Sequence, residues 1–194
     1  MRSASETQGE LFAPLPDSAE PAGFGYWPDV IDAAEEAALA ARLADQPFKP
    51  FEFHGFLGNR RNVSFGLRYD YGKQAVAPAP ALPDFLVTLR ERVAGLTGVP
   101  PQAFVQSLIN EYQPGAGIGW HRDKPQFGLV VGVSLLSPAL LRFRRKAGAI
   151  WTRASAPLAP RSAYRLSGPA RHEWEHSIIP AEALRYSITF RTLA

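Results

Sequence analysis

The stretch Asn110-Glu-Tyr112-Gln-Pro-Gly-Ala-Gly-Ile-Gly-Trp-His121-Arg-Asp123, answered far downstream by His176, Arg185 and Arg191, constrains the fold more than any other part of the chain. Two imidazoles and one carboxylate make the ligand set that leaves open positions on non-haem Fe(II). Residues two apart on a strand point to one face, so one extended segment can present both His121 and Asp123 to a single ion. The third ligand must then come from a neighbouring strand. His176 lies in Trp174-Glu-His176-Ser-Ile-Ile-Pro180, an apolar run closed by proline that reads as a strand ending. Arg185 and Arg191 are six residues apart on the last strand and share a face with Ser187 and Thr189, while Tyr186, Ile188 and Phe190 form the opposite, apolar face. Two guanidiniums turned into a barrel need anions, and a dicarboxylate satisfies both by bidentate contacts.

An iron with open positions beside a cage for a dicarboxylate points to a 2-oxoglutarate-dependent oxygenase. With Asn110-x-Tyr112 upstream, the ordered series His121-x-Asp123, His176 and Arg185-x5-Arg191 resembles the AlkB family of Fe(II)/2-oxoglutarate dioxygenases. A His-x-Asp with a later His and one Arg describes many 2-oxoglutarate enzymes; the second arginine and the Asn-x-Tyr narrow the resemblance. It runs from about Phe24 to the C-terminus and is strongest over Ser107–Asp123 and Gly168–Arg191. It implies a mainly β protein with flanking helices, built as a double-stranded β-helix (jelly-roll) core behind an N-terminal α/β nucleotide-recognition lid. It also implies Fe(II), 2-oxoglutarate as cosubstrate and O2, used to demethylate alkylated bases in DNA or RNA with release of succinate, CO2 and formaldehyde. In that pattern His121, Asp123 and His176 hold the metal, and Asn110, Tyr112, Arg185, Ser187 and Arg191 bind the cosubstrate. Arg185 takes its distal carboxylate, and Arg191 lies nearer the metal, against the proximal carboxylate and Asp123. The pattern selects His176 over His172, which is left to a supporting or surface role.

At 194 residues the chain can bury a full core as one integrated domain. Residues 1–22, rich in Ser, Glu, Ala and Pro without periodicity, read as a disordered arm. Residues 23–103 then read as N-terminal helices and the substrate-recognition lid, and residues 104–194 as the catalytic core. Asp32-Ala-Ala-Glu35 forms a capping box for a helix reaching about Ala44. Pro83 to Leu96 reads as a second helix, with Leu86, Leu89, Val93 and Leu96 on one face and Gly98 as its stop. Between them, Phe48–Tyr71 reads as short strands with a turn at Gly58-Asn59, and Val76–Pro83 as an Ala/Pro linker. Beyond Pro101, eight or so short strands follow with no further helix. Zero cysteines rule out a disulfide scaffold and a thiolate metal site. Without a membrane-spanning run or a signal pattern, the expectation is a cytoplasmic monomer.

The net charge of +3 permits a polyanionic partner without demanding one. An alkylated base must leave its stack to reach iron, so the partner is expected to be single-stranded or to flip its base out. The lid supplies Phe53, Phe56, Phe65 and Tyr69 for stacking and Arg60, Arg61 and Arg68 for phosphates. His54 belongs to the same aromatic segment. The cluster Arg142-Phe-Arg144-Arg145-Lys146 either tracks a nucleic-acid backbone or is a solvated hairpin tip, and the second reading is preferred. One departure concerns base choice: members that repair alkylated bases often carry an acid two places after the ligand Asp, where this chain has Pro125, which cannot hydrogen-bond a base edge. The same oxygenase chemistry on a protein, tRNA or small molecule is therefore the alternative. Hydrolytic zinc, and a nucleic-acid-binding β-barrel without catalysis, are weaker readings.

Overall fold

The computed structural model describes residues 20–53 and 56–194, with 52, 53 and 56–58 described in backbone alone. The N-terminal arm expected at 1–22 therefore falls mostly outside the described residues, as does His54. The N-terminal half contains β1 (Phe24–Trp27), α1 (Ala33–Ala44), β2 (Lys49–Phe53), β3 (Phe56–Phe65), β4 (Leu67–Asp70), β5 (Ala75–Pro78) and α2 (Val87–Thr97). The C-terminal half adds β6 (Gln106–Tyr112), β7 (Ile118–His121), β8 (Phe127–Leu135), β9 (Ala139–Ala147) and β10 (Ile150–Leu158). It closes with β11 (Ala163–Leu166), α3 (Gly168–His172), β12 (Glu175–Ile178) and β13 (Arg185–Leu193). No helix among the described residues is long and apolar enough to cross a membrane.

The strands form a seven-stranded sheet, β1-β11-β8-β13-β6-β3-β2, and a four-stranded sheet, β10-β9-β12-β7, with β4-β5 as a separate hairpin. All pairings are antiparallel. This is the expected jelly-roll. The large sheet is covered on both faces. One face packs on the helices through Ile109, Val131, Val133, Ile188 and Phe190 against Leu43, Leu86, Leu89 and Val93. The other faces the small sheet across a second core that includes Val130, Tyr164 and Leu166 on one side and Leu141, Phe143 and Ile178 on the other.

Both expected helices form as their end signals demand. Asp32 caps α1 by accepting from the Glu35 backbone N–H, and Glu35 returns the bond to the Asp32 N–H, satisfying two donors that a helix start leaves orphaned. Gly98 ends α2 at φ 68°, a left-handed cap that costs glycine nothing. Three local expectations are corrected. Gly58-Asn59 is not a turn but lies inside β3, because the strand begins at Phe56 and pairs with β2 from there. The Ala/Pro linker begins as β5, whose partner is β4. A further helix does form beyond Pro101: Ser167-Gly-Pro starts α3 with proline in its first turn, where a missing N–H is harmless.

Candidate metal and cosubstrate site

His121 is the last residue of β7, and the register of the small sheet sets it directly opposite His176 of β12, ring centroids 4.3 Å apart. Asp123 does not share a strand face with His121, as the spacing suggested; β7 ends at His121 and the aspartate reaches the site from the following loop. The three side chains still converge, with ligand atoms within 4.8 Å of one another, the one such group of three among the described residues. His121 Nδ1 sits 2.9 Å from the Gly119 carbonyl, which fixes the proton there and turns Nε2, with its lone pair, toward the site. Arg191 donates to Asp123 Oδ1 at 2.8 Å, and Oδ2 stands 3.9 Å from His176 Nε2.

Electrostatics put these groups in ligand form. Burial pushes His176 down to about 3 and also lowers His121, so both imidazoles are neutral at neutral pH. Burial alone would raise Asp123, but the Arg191 charge and the two imidazoles outweigh it and hold the carboxyl below the usual range. Two neutral imidazoles and one ionised carboxylate can accept a divalent cation without first shedding a proton. The donor set, all N and O with no thiolate, fits Fe(II).

The loop that carries Asp123 is held by a residue that spacing alone did not flag. Arg171 on α3 is 3% exposed and donates to four carbonyls: Asp123 at 3.2 Å, Lys124 at 2.6 Å, Phe127 at 2.6 Å and Gly128 at 3.1 Å. The only available signal was its place next to His172. His172 itself is exposed.

Beside His121, Asp123 and His176 a cavity of about 1120 Å³ opens between the sheets. Asn110, Tyr112, Ser187, Thr189 and Arg191 line it from β6 and β13, with Tyr164 from β11. Arg185 lies on the same face of β13 as Ser187, 1% exposed and 5.0 Å from the Tyr112 ring centre. Two of its nitrogens reach Ser134 Oγ at 3.1 and 3.3 Å; Nη1 has no partner, and no carboxylate pairs with this guanidinium among the described residues. A buried cation left so is costly unless an anion completes it. Tyr164, another residue not anticipated, is pushed up to about 12 by burial, so its phenol stays protonated. A Cβ on Gly132 would overlap the Tyr164 ring, so glycine on β8 lets the tyrosine lie flat against the sheet.

The candidate substrate residues divide sharply. Arg60 on β3 enters the cavity, stacked 3.7 Å from the Phe51 ring centre with Nε unpartnered. Arg61, one residue on, faces the other way and grips the buried Glu111 by two bonds of 2.7 and 2.9 Å, so it is not part of the cavity. Phe65 is also corrected: it belongs to the core under the helices. Arg68 stands half exposed at the cavity edge, 3.7 Å from Asp70. Tyr69 lines the cavity with Tyr71, their rings 5.0 Å apart and edge-on, and Lys124 Nζ sits 4.7 and 4.8 Å from the two ring centres. The side chains of Phe53 and Phe56 lie outside the described residues. Tyr71 and Lys124 were not anticipated; Lys124 is visible in sequence only as the neighbour of a ligand.

The chain matches the family model described as the 2OG-Fe(II) oxygenase superfamily over residues 24–191. It is similar to the alkylated DNA repair protein ALKBH8 homolog of Arabidopsis thaliana, 27% identical over 180 residues that cover 80% of this chain and 50% of that protein. It is 31% identical over 169 residues to the alpha-ketoglutarate-dependent dioxygenase AlkB homolog of Caulobacter vibrioides strain NA1000, covering 77% of this chain and 74% of that protein. The solved structure of OsALKBH1 shares the fold, with a TM-score of 0.71 over 91% of this chain and 99% of that chain at 14% identity. The chain spans about half the length of several of the curated relatives it matches.

Proposed function

The chain belongs to the AlkB family within the 2OG-Fe(II) oxygenase superfamily, and from that premise we propose that it is an Fe(II)/2-oxoglutarate-dependent dioxygenase that oxidatively demethylates alkylated nucleobases in DNA or RNA. The observation that carries the oxygenase reading is the buried Arg185 guanidinium, which pairs with no acid among the described residues and lies on the same face of β13 as Ser187 and Arg191, two residues of the cavity wall beside His121, Asp123 and His176. A dicarboxylate supplies the missing anion, and a metal completes the triad.

His121, Asp123 and His176 would hold the iron, and the chemistry that iron, 2-oxoglutarate and O2 supply together is C–H hydroxylation coupled to formation of succinate and CO2. Arg185, with Tyr112 under its plane and Ser134 fixing two of its nitrogens, presents its free N–H to the distal carboxylate of 2-oxoglutarate. Arg191 bridges Gln106 and Asp123 and so sets the orientation of the ligand carboxylate. Tyr164 keeps its proton and can donate into the cavity. Phe51, Tyr69 and Tyr71 exclude water and offer faces to an extruded base, with Arg60 as a cation at the same wall. When the oxidised carbon is an N-methyl group, the hydroxymethyl product releases formaldehyde and returns the proton to the ring nitrogen.

Support for a nucleic-acid substrate comes from this aromatic and cationic wall, and from relatives named as acting on RNA or DNA, among them the probable RNA/DNA demethylase ALKBH6 of Danio rerio. Pro125 favours a second reading, the same chemistry on a protein, tRNA or small molecule, since no acid stands where a base edge would be met. The deciding experiment measures succinate and formaldehyde with Fe(II) and 2-oxoglutarate across methylated DNA and RNA oligonucleotides, a methylated protein extract and a no-substrate control. Formaldehyde from any oligonucleotide supports the first reading; release with the protein extract alone replaces it with the second.

A further inference from the structure

The outer face of the small sheet carries a ladder of cations and indole rings that the proposed active site does not use. On β9, Leu141 and Phe143 turn into the core, which leaves Arg142, Arg144 and Lys146 pointing outward. The register of β10 sets Arg153 opposite Arg144 and Trp151 opposite Lys146. On the other side, Ser177 and Glu175 of β12 stand opposite Arg142 and Arg144. At β7 the inward pairing of His121 with His176 turns the preceding Trp120 outward. Arg142 and Arg144 lie 5.0 and 4.6 Å from the Trp120 ring centre, and Arg144 is also 4.7 Å from that of Trp151. Lys146 completes the row, 5.9 Å from Trp151.

Four outward cations on this face meet one carboxylate. Glu175 takes Arg144 at 2.6 Å, and Arg142 donates to Ser177 Oγ. Arg153 and Lys146 meet no acid among the described residues. Trp151 is 37% exposed beside Ile150 at 72%, so a large aromatic stands open among positive charges. At the other end the ladder is continuous with the cavity, whose lining includes Trp120. A single strand of nucleic acid offers what this arrangement matches, planar bases in alternation with phosphates. An acidic peptide would engage the cations and leave the indole faces idle.

We propose that the outer face of the β10-β9-β12-β7 sheet is a second contact surface for single-stranded nucleic acid, on which nucleotides flanking the base in the cavity stack and pair their phosphates. Trp120 is the step at the cavity mouth, Arg142 and Arg144 are the middle cations, and Trp151 with Arg153 is the distal platform. From β7 to β10 the sheet spans three inter-strand spacings, about 14 Å. At a stacked spacing of roughly 3.4 Å per nucleotide, a trinucleotide with its middle base in the cavity leaves one nucleotide on each side and falls short of Trp151, whereas a 16-mer covers the distance. The proposal rests on the nucleic-acid reading of the active site.

The test compares wild type with Trp151→Ala/Arg153→Ala and with Arg153→Glu, positions on an exposed strand face outside the cavity. Fluorescence anisotropy reads the affinity for a methylated 16-nucleotide single-stranded DNA, and formaldehyde release is followed on the methylated trinucleotide. The double variant is expected to bind the 16-mer about 5- to 150-fold more weakly, the range of one lost base–aromatic stack, while trinucleotide turnover is unchanged. Arg153→Glu is expected to lower affinity in low salt and to converge on wild type as salt rises. Wild-type binding of the 16-mer with both variants unaffected would overturn this surface and leave the cavity reading standing. A wild type that neither binds the 16-mer nor demethylates the trinucleotide would overturn both.

Discussion

Arg191 donates to Asp123 Oδ1 at 2.8 Å, and this bond decides which carboxylate oxygen is left facing His176. The guanidinium is 8% exposed and holds Gln106 with a second nitrogen, so its plane is fixed before any metal arrives. Orientation of a ligand carboxylate by such a partner is worth one to two orders of magnitude in metal affinity. Arg191→Met is expected to weaken Mn(II) binding, a redox-silent reporter for Fe(II), by about 10- to 100-fold by calorimetry. Arg191→Lys, which keeps the charge and loses the fork, should fall between. Unchanged Mn(II) affinity in the methionine variant would remove this arginine from the metal's support.

Replacing either histidine should abolish turnover and metal binding with little cost to the fold. His176 is buried with Nδ1 unpartnered, so the folded state already pays for its desolvation and His176→Ala removes that burden along with the ring. Thermal melts without metal should stay within a few degrees of wild type, and added Mn(II) should no longer raise the midpoint. A metal-induced rise that survives in both His121→Ala and His176→Ala would place the ion elsewhere.

The arginines on β13 were legible in the sequence because a strand alternates faces, so six residues of spacing already set Arg185 and Arg191 on the face away from Ile188 and Phe190. The same rule separates Arg60 from Arg61, yet both were read as phosphate cations, because alternation says which residues share a face but not which face is buried. That was decided by Glu111 on the adjacent strand, a long-range pairing invisible along the chain. The same ambiguity covers Phe65, whose face of β3 turns to the core under the helices. Arg171 and Tyr164 escaped because their work lies in tertiary contacts: four carbonyls gathered by one fork, and a ring on β11 lying across a glycine of β8.

Arg185→Met separates binding from stability. Without 2-oxoglutarate the buried guanidinium lacks a counter-charge, and an apolar side chain of similar length should leave the melting midpoint equal or higher. Addition of 2-oxoglutarate should stabilise wild type and fail to stabilise the variant, and the KM for 2-oxoglutarate should rise. A variant still stabilised by 2-oxoglutarate would show that the dicarboxylate is held by another group.

Arg171 should behave in the opposite way. Its loss takes a donor from four buried or part-buried carbonyls around the Asp123 loop, of which the Lys124 carbonyl keeps a bond from the Phe127 N–H and the others lose the partner that Arg171 gives them. Arg171→Met is expected to lower unfolding free energy by about 3 kcal/mol, measured by urea titration, and to weaken Mn(II) binding because Asp123 is no longer held. Arg171→Lys should rescue little, since one ammonium cannot span four acceptors. Stability within about 0.5 kcal/mol of wild type would contradict the clamp.

Arg60 and Arg61, adjacent in sequence, are predicted to fail in different assays. Arg60 points into the cavity against Phe51, with Nε lacking an acceptor, so Arg60→Ala should weaken binding of a methylated single-stranded oligonucleotide. If it meets a phosphate, the log–log salt slope should flatten by about 0.7. Stability should change little. Arg61→Ala leaves Glu111, 3% exposed, without its bidentate partner, and should cost about 1 kcal/mol after discounting for the half-exposed arginine. Oligonucleotide affinity should stay at the wild-type value, because the Arg61 side chain stands on the far side of β3 from the cavity. Anisotropy across a salt series, paired with urea melts of the two single variants, reads both effects. Equal loss of affinity in the two variants would mean that the polyanion follows the outer surface of β3 rather than entering the cavity.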